Sequence, residues 1–259
     1  MDPTCMPVVH TIPGAADVSV ERDHSYPSAH GPLAFELYRP PGATTPRPAV
    51  IFVSGYPDPG MTARLGKPIK DWQSYVDWGH MVAARGVVGV TYANHEPGDV
   101  VALLRHLRGD AAALGIDPDR IGVWACSGNV PTALALFAHE RLACAALLYG
   151  YLIDVDGATD VARAATQFFF ATPPVTLDEL PGDRPVLVVR AGRDDTPGLD
   201  LALQRFVAAA QARGLPVTVR DHPTAPHAFD LRDDSAETHA VIDDVLAFVA
   251  DRLGAAHGS

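Results

Sequence analysis

The stretch "RIGVWACSGNVPTALALFAHE", residues 120–140, decides the fold. Its apolar run from Ile121 to Ala125 reads as a buried strand, and the Ala/Leu-rich segment after Asn129 reads as a helix. Between them stand two adjacent nucleophiles, Cys126 and Ser127, followed by Gly128. A strand that turns directly into a helix through a nucleophile displays that side chain at the top of a sheet. The turn is so tight that the positions two before and two after must be small. Around Ser127 these are Ala125 and Asn129; around Cys126 they are Trp124 and Gly128. A Trp at the minus-two position is the worse clash, which favours Ser127. The turn reads A-C-S-G-N, a degenerate match to G-x-S-x-G. A serine that only caps the following helix is the competing reading.

Working outward, strand-like and helix-like stretches alternate. Residues 18–26 and 33–40 show period-two alternation, which predicts an antiparallel pair. The run at 49–53 is continuously apolar, as a strand covered on both faces is; 87–93 reads as the next buried strand, 117–125 as a turn and a strand, and 144–152, 185–192 and 216–222 as further strands. Helical periodicity predicts helices over 71–86, 98–115, 199–214 and 236–254, besides the one after Asn129. This rhythm predicts an α/β protein with a mostly parallel, doubly wound sheet, an antiparallel start and helices on both faces. Residues 1–17 are expected to form an N-terminal arm, 18–254 a single domain and 255–259 a C-terminal tail. The segment 153–183, with "FFFATPP" inside it, breaks the rhythm and reads as either a small lid or an extended connection.

Composition narrows the function. A formal charge of −11, from 20 Lys and Arg against 31 Asp and Glu, argues against nucleic acid or an anionic membrane surface as partner. Cys5, Cys126 and Cys144 are too scattered for a disulfide framework or a zinc motif, and the last two are expected as buried free thiols. No apolar run reaches the roughly 18 residues that a membrane span needs. The first residues carry no secretory signal, so a cytoplasmic location is the default expectation. No cofactor or metal is implied, the expected partner is a small-molecule substrate, and the oligomeric state is left open.

A hydroxyl becomes a nucleophile when an imidazole takes its proton and a buried carboxylate fixes that imidazole. The chain supplies candidates in the order nucleophile, acid, base. Asp194 and Asp195 follow the strand-like run at 185–192, while His222 and His227 end and follow the one at 216–222. Trp72, Tyr75 and Trp78 share a helical stretch and read as core. Tyr149 and Tyr151 fall closer to the expected site edge.

Taken together, "VIFVSGYPDPG" (50–60), "VWACSGN" (123–129), "VVRAGRDD" (188–195) and "PHAFD" (226–230) resemble the α/β-hydrolases, and within them the dienelactone-hydrolase-like branch, over about residues 18–253. The resemblance implies a serine hydrolase. It selects Asp194 as the acid by its spacing from Arg190, and His227 as the base by the His-x-Phe step. His222 is then expected on the surface. Founding members of that branch use a Cys nucleophile, and Cys126-Ser127-Gly128 aligns that way, but the Trp124 argument still favours Ser127. The oxyanion hole is expected from the backbone N–H groups of Gly128 and Tyr56, with Gly55 letting the backbone approach the substrate. The implied substrate is a small or medium carboxylic ester, lactone or thioester. A peptidase or amide hydrolase, a biosynthetic acyltransferase or cyclase, and a non-catalytic binding protein on the same fold stay open.

Overall fold

The apolar runs become the strands of one sheet in a computed structural model that describes residues 2–42 and 46–255. Strands β1 (Ser19–Ser28), β2 (Gly31–Arg39), β3 (Arg47–Phe52), β4 (Val88–Tyr92), β5 (Ile116–Cys126), β6 (Ala145–Leu148), β7 (Val186–Ala191) and β8 (Val217–His222) lie in the order β1-β2-β4-β3-β5-β6-β7-β8. Pairing is antiparallel for β1/β2 and β2/β4 and parallel from β4 through β8.

Helices cover both faces. Along β3, Ala49 and Ile51 point into one core and Val50 and Phe52 into the other, the period-two alternation of a doubly covered strand. Helix α1 (Asp58–Leu65) follows β3 near the sheet top. The first core packs under α3 (Asp99–Gly109), α4 (Val130–His139) and α6 (Leu199–Ala212). The second packs under α2 (Gln73–Ala84) and α8 (Ala236–Arg252), and its aromatic centre is Phe52, Tyr75, Trp78 and Trp124. Helix α5 (Asp160–Phe168) lies between β6 and β7, and the short α7 (Phe229–Arg232) follows β8.

Four details differ from expectation. Strand β6 stops after Leu148, because Tyr149 turns to φ 36° and leaves the ladder, although the apolar run continues to 152. The 98–115 helix ends at Gly109. The irregular segment 153–183 contains α5, ending at Phe169 with φ 64°. Asp58–Leu65, which carries no apolar period, is helical because Pro57 and Pro59 sit where a first turn tolerates proline. The N-terminal arm packs on the domain: Val8 and Ile12 join the second core, and Val9 N–H donates to the Asp230 carbonyl at 2.8 Å. Of the expected tail at 255–259, all but Ala255 lies outside the described residues. No helix among the described residues is long and apolar enough to cross a membrane.

Candidate active site

The sharp turn sits at Ser127. Cys126 ends β5 in extended conformation (φ −131°, ψ 154°), and Ser127 takes φ 53°, a left-handed backbone that an L side chain adopts only under constraint. Among the described residues, four of the five non-glycine residues with positive φ (Ser127, Tyr149, Phe169 and Ala228) line the same cavity, so backbone strain is concentrated there.

The Ser127 hydroxyl donates to His227 Nε2 at 2.8 Å, and His227 Nδ1–H donates to Asp194 Oδ2 at 2.6 Å. Asp194 leaves the turn after β7 with its side chain fully buried, whereas Asp195 beside it is exposed and faces the cavity. Burial acts to raise the Asp194 carboxyl, but hydrogen bonds from His227 and from the Thr196 N–H (3.0 Å) outweigh it and hold the group below the usual carboxylate value. His227 rides on the loop after β8 and keeps about a quarter of its side chain exposed to the cavity. Ser127, His227 and Asp194, separated in sequence, are thus brought into one hydrogen-bonded line.

His222 is not a surface residue. Its side chain is fully buried, and its Nε2 is 2.9 Å from the Thr238 hydroxyl, which ties the end of β8 to α8. Cys144 is buried as expected, while Cys126 keeps part of its surface on the cavity. Burial and the nearby Asp230 carboxylate push the Cys126 thiol up to about 12. It therefore stays protonated at neutral pH, the unreactive form.

Asn129, the expected misfit of the turn, is a clasp. It is buried, its Oδ1 accepts from Gly55 N–H at 2.7 Å, and its Nδ2 donates to the Tyr75 hydroxyl at 2.9 Å and the Cys126 carbonyl at 3.0 Å. Gly55 is needed for this contact rather than for reaching the substrate. A Cβ there would lie 2.9 Å from Asn129 Cα and overlap the Gly128 carbonyl. The Tyr56 N–H donates to the Ser54 hydroxyl at 3.3 Å, and the Tyr56 phenol lies against Gly128. Gly128 is the second residue of the helical turn Ser127–Asn129, whose first backbone N–H groups lack intrahelical acceptors.

One group was missed by sequence reading. Asp230, in the "PHAFD" stretch, is buried beneath the site and accepts from Trp78 Nε1–H (3.0 Å) and the Tyr149 hydroxyl (2.8 Å). Burial raises its carboxyl above the ordinary value. The bond to Tyr149 holds that ring edge-on to His227, with centroids 5.2 Å apart. Aspartate at the His-x-Phe-Asp position was the available signal.

The cavity around these groups has a volume of about 900 Å³. Its wall is largely apolar: Met6 of the arm, Met61 and Leu65 of α1, Trp72, and Phe168 and Phe170 at the end of α5. Among the described residues no group of three or more His, Cys, Asp or Glu side chains is placed to hold a metal ion.

No family model and no curated protein matches the sequence. Solved structures do. Esterase LipW from Mycobacterium marinum superposes with a TM-score of 0.68 at 18% identity, over 92% of this chain and 83% of that one. A bacterial heroin esterase gives 0.69 at 15%, over 92% and 86%. A hyperthermophilic esterase from the archaeon Pyrobaculum calidifontis gives 0.67 at 14%, over 93% and 89%. With the sheet order described above, this likeness makes the fold that of the α/β-hydrolases.

Proposed function

We propose that the protein is a serine hydrolase of carboxylic esters, acting through an acyl-enzyme on Ser127. The observation that carries the reading is the continuous line from the Ser127 hydroxyl through His227 to the buried Asp194 at the floor of an apolar cavity. His227 Nε2 takes the hydroxyl proton as Ser127 Oγ bonds to the ester carbonyl carbon, and the carbonyl electron pair moves onto oxygen. Asp194 holds the Nδ1–H tautomer and faces the imidazolium that forms. Gly128 N–H and Tyr56 serve the oxyanion. Collapse of the intermediate expels the alkoxide, which leaves as alcohol with the proton from His227. Water then repeats the sequence and releases the acid.

The structural neighbours named above are esterases, which supports ester over amide bonds. The dienelactone-hydrolase-like motifs add lactones to the substrate class. The cavity walls favour an ester with an apolar acyl or alcohol group rather than a charged one.

Labelling with a fluorophosphonate, followed by peptide mapping, tests the assignment. The modified residue is expected to be Ser127, with hydrolysis of p-nitrophenyl esters lost in step. Modification at Cys126, or hydrolysis that survives full labelling, would overturn it.

A further inference from the structure

The loop after β3 presents a side chain where an amide donor was expected. Both backbone groups of Tyr56 are occupied: its N–H by the Ser54 hydroxyl at 3.3 Å, its carbonyl by Asn94 Nδ2 at 3.1 Å. These bonds fix the loop and turn the amide toward Ser54. The phenol, in contrast, lies against the backbone of the residue that follows Ser127. A Cβ on Gly128 would be 2.8 Å from Tyr56 Cζ and would overlap the hydroxyl oxygen itself. Glycine at 128 therefore makes room for a hydroxyl, and no larger residue fits while Tyr56 holds this pose. The ring is steadied edge-on by Phe170, with centroids 6.4 Å apart, and Phe170 is stacked on Tyr151 at 5.9 Å. The Tyr56 hydroxyl makes no hydrogen bond to any described residue, and Tyr56 lines the cavity that holds Ser127.

We infer that the phenolic hydroxyl of Tyr56, and not its backbone N–H, is the second donor to the oxyanion, beside the N–H of Gly128. The inference rests on the reading of Ser127 as nucleophile. When Ser127 Oγ bonds to the carbonyl carbon, negative charge develops on the carbonyl oxygen next to Gly128. The phenol donates one hydrogen bond to that oxygen and keeps its proton; the proton in transit is the one passed from Ser127 to His227 and on to the leaving alkoxide. A donor without a partner in the resting site, held rigidly by aromatic packing, needs no reorganisation when the charge appears, and such donors contribute most to the rate. Burial, with a smaller contribution from Cys126, pushes this phenol up to about 12, so it remains a protonated donor at any working pH.

Tyr56→Phe removes one O–H and keeps the ring. Loss of a single oxyanion donor is expected to lower kcat by about 10²–10³-fold while KM stays within about threefold. Thermal stability should be unchanged, because the hydroxyl has no partner to lose. Fluorophosphonate should still modify Ser127 of the variant, only more slowly. A kcat within about threefold of the parent, or a loss that appears wholly in KM or together with a fall in Tm, would overturn the inference and leave Ser127 in place. Failure of the parent protein to be labelled at Ser127 would instead remove the reading on which it rests.

Discussion

At the scale of single residues, the site separates two neighbours of similar chemistry twice. Ser127 and Cys126 are adjacent, yet the hydroxyl reaches His227 at 2.8 Å, while the thiol is pushed up to about 12 by burial and Asp230. Ser127→Ala is therefore expected to cost on the order of 10⁴-fold or more in kcat, since the three side chains act as a unit. Cys126→Ala should keep most of the activity, and iodoacetamide at pH 7 should leave turnover intact. Retention of turnover in Ser127→Ala would reverse the roles. Asp194 and Asp195 form the second pair. Only the first is buried and bonded to His227 Nδ1, so Asp194→Asn should lower kcat by about 10⁴-fold by presenting the wrong imidazole tautomer. Asp195→Asn should change it by less than about tenfold. Steady-state kinetics of the two variants, side by side, decides the matter.

At the scale of elements, the turn after β5 is stabilised from a neighbouring loop rather than by small residues alone. Replacing Asn129 by the glycine that the usual motif carries at that position would leave the Gly55 N–H and the Tyr75 hydroxyl without this partner. Buried groups left unpaired cost about 1–3 kcal/mol. Asn129→Gly should thus lower stability by that amount in urea unfolding and slow acylation as the two loops part. An unchanged urea midpoint would show that the clasp contributes nothing. None of this was legible in the sequence, where Asn129 looked only like a poor fit. What was legible followed from period: β3, β4, β7 and the Ile121–Ala125 half of β5 are apolar runs, β8 alternates Val217 and Val219 with polar residues, and α2, α6 and α8 carry a helical stripe. Elements without such a signal escaped. Helix α1 has one amphipathic turn at most, α5 is nine residues long inside an irregular stretch, and α7 is four. The apolar run through Tyr149–Leu152 looked like strand because the floor of the cavity is as apolar as a sheet. His222 looked exposed because its partner, Thr238, is 16 residues away on α8. The order Ser127, Asp194, His227 could be read because each follows its own strand. Asp230 stood in the His-x-Phe-Asp stretch, but its role was not legible, because its partners Trp78 and Tyr149 meet it only in three dimensions.

At the scale of the whole molecule, the cavity is assembled from parts remote in sequence: the arm through Pro3 and Met6, α1, the end of α5, and the loops that follow β5, β7 and β8. Buried carboxylates in and near the site couple it to the stability of the fold, and they do so with opposite signs. Asp194 has its folded-state value lowered below 3.8, so the stability it contributes is fully present above that pH and is lost as pH falls through the folded value. Asp58 and Asp230 are raised by burial, so the fold binds their protons more tightly than the unfolded chain does, and they oppose folding increasingly as pH rises above 3.8. Asp194, together with the lowered surface carboxylates Asp2, Glu21, Asp117, Glu179 and Asp233, therefore gives an acid limb below about pH 4, and the raised pair a slope of opposite sign just above it. Urea midpoints measured from pH 7 down to pH 3 should reveal both limbs. Asp194→Asn, which removes one buried lowered group and leaves the other lowered carboxylates and the raised pair, should show a shallower fall below pH 4 while keeping the slope above it. An acid limb as steep in the variant as in the parent would mean that Asp194 is not held ionised by His227 and Thr196, and the hydrogen-bonded line behind Ser127 would lose its anchor.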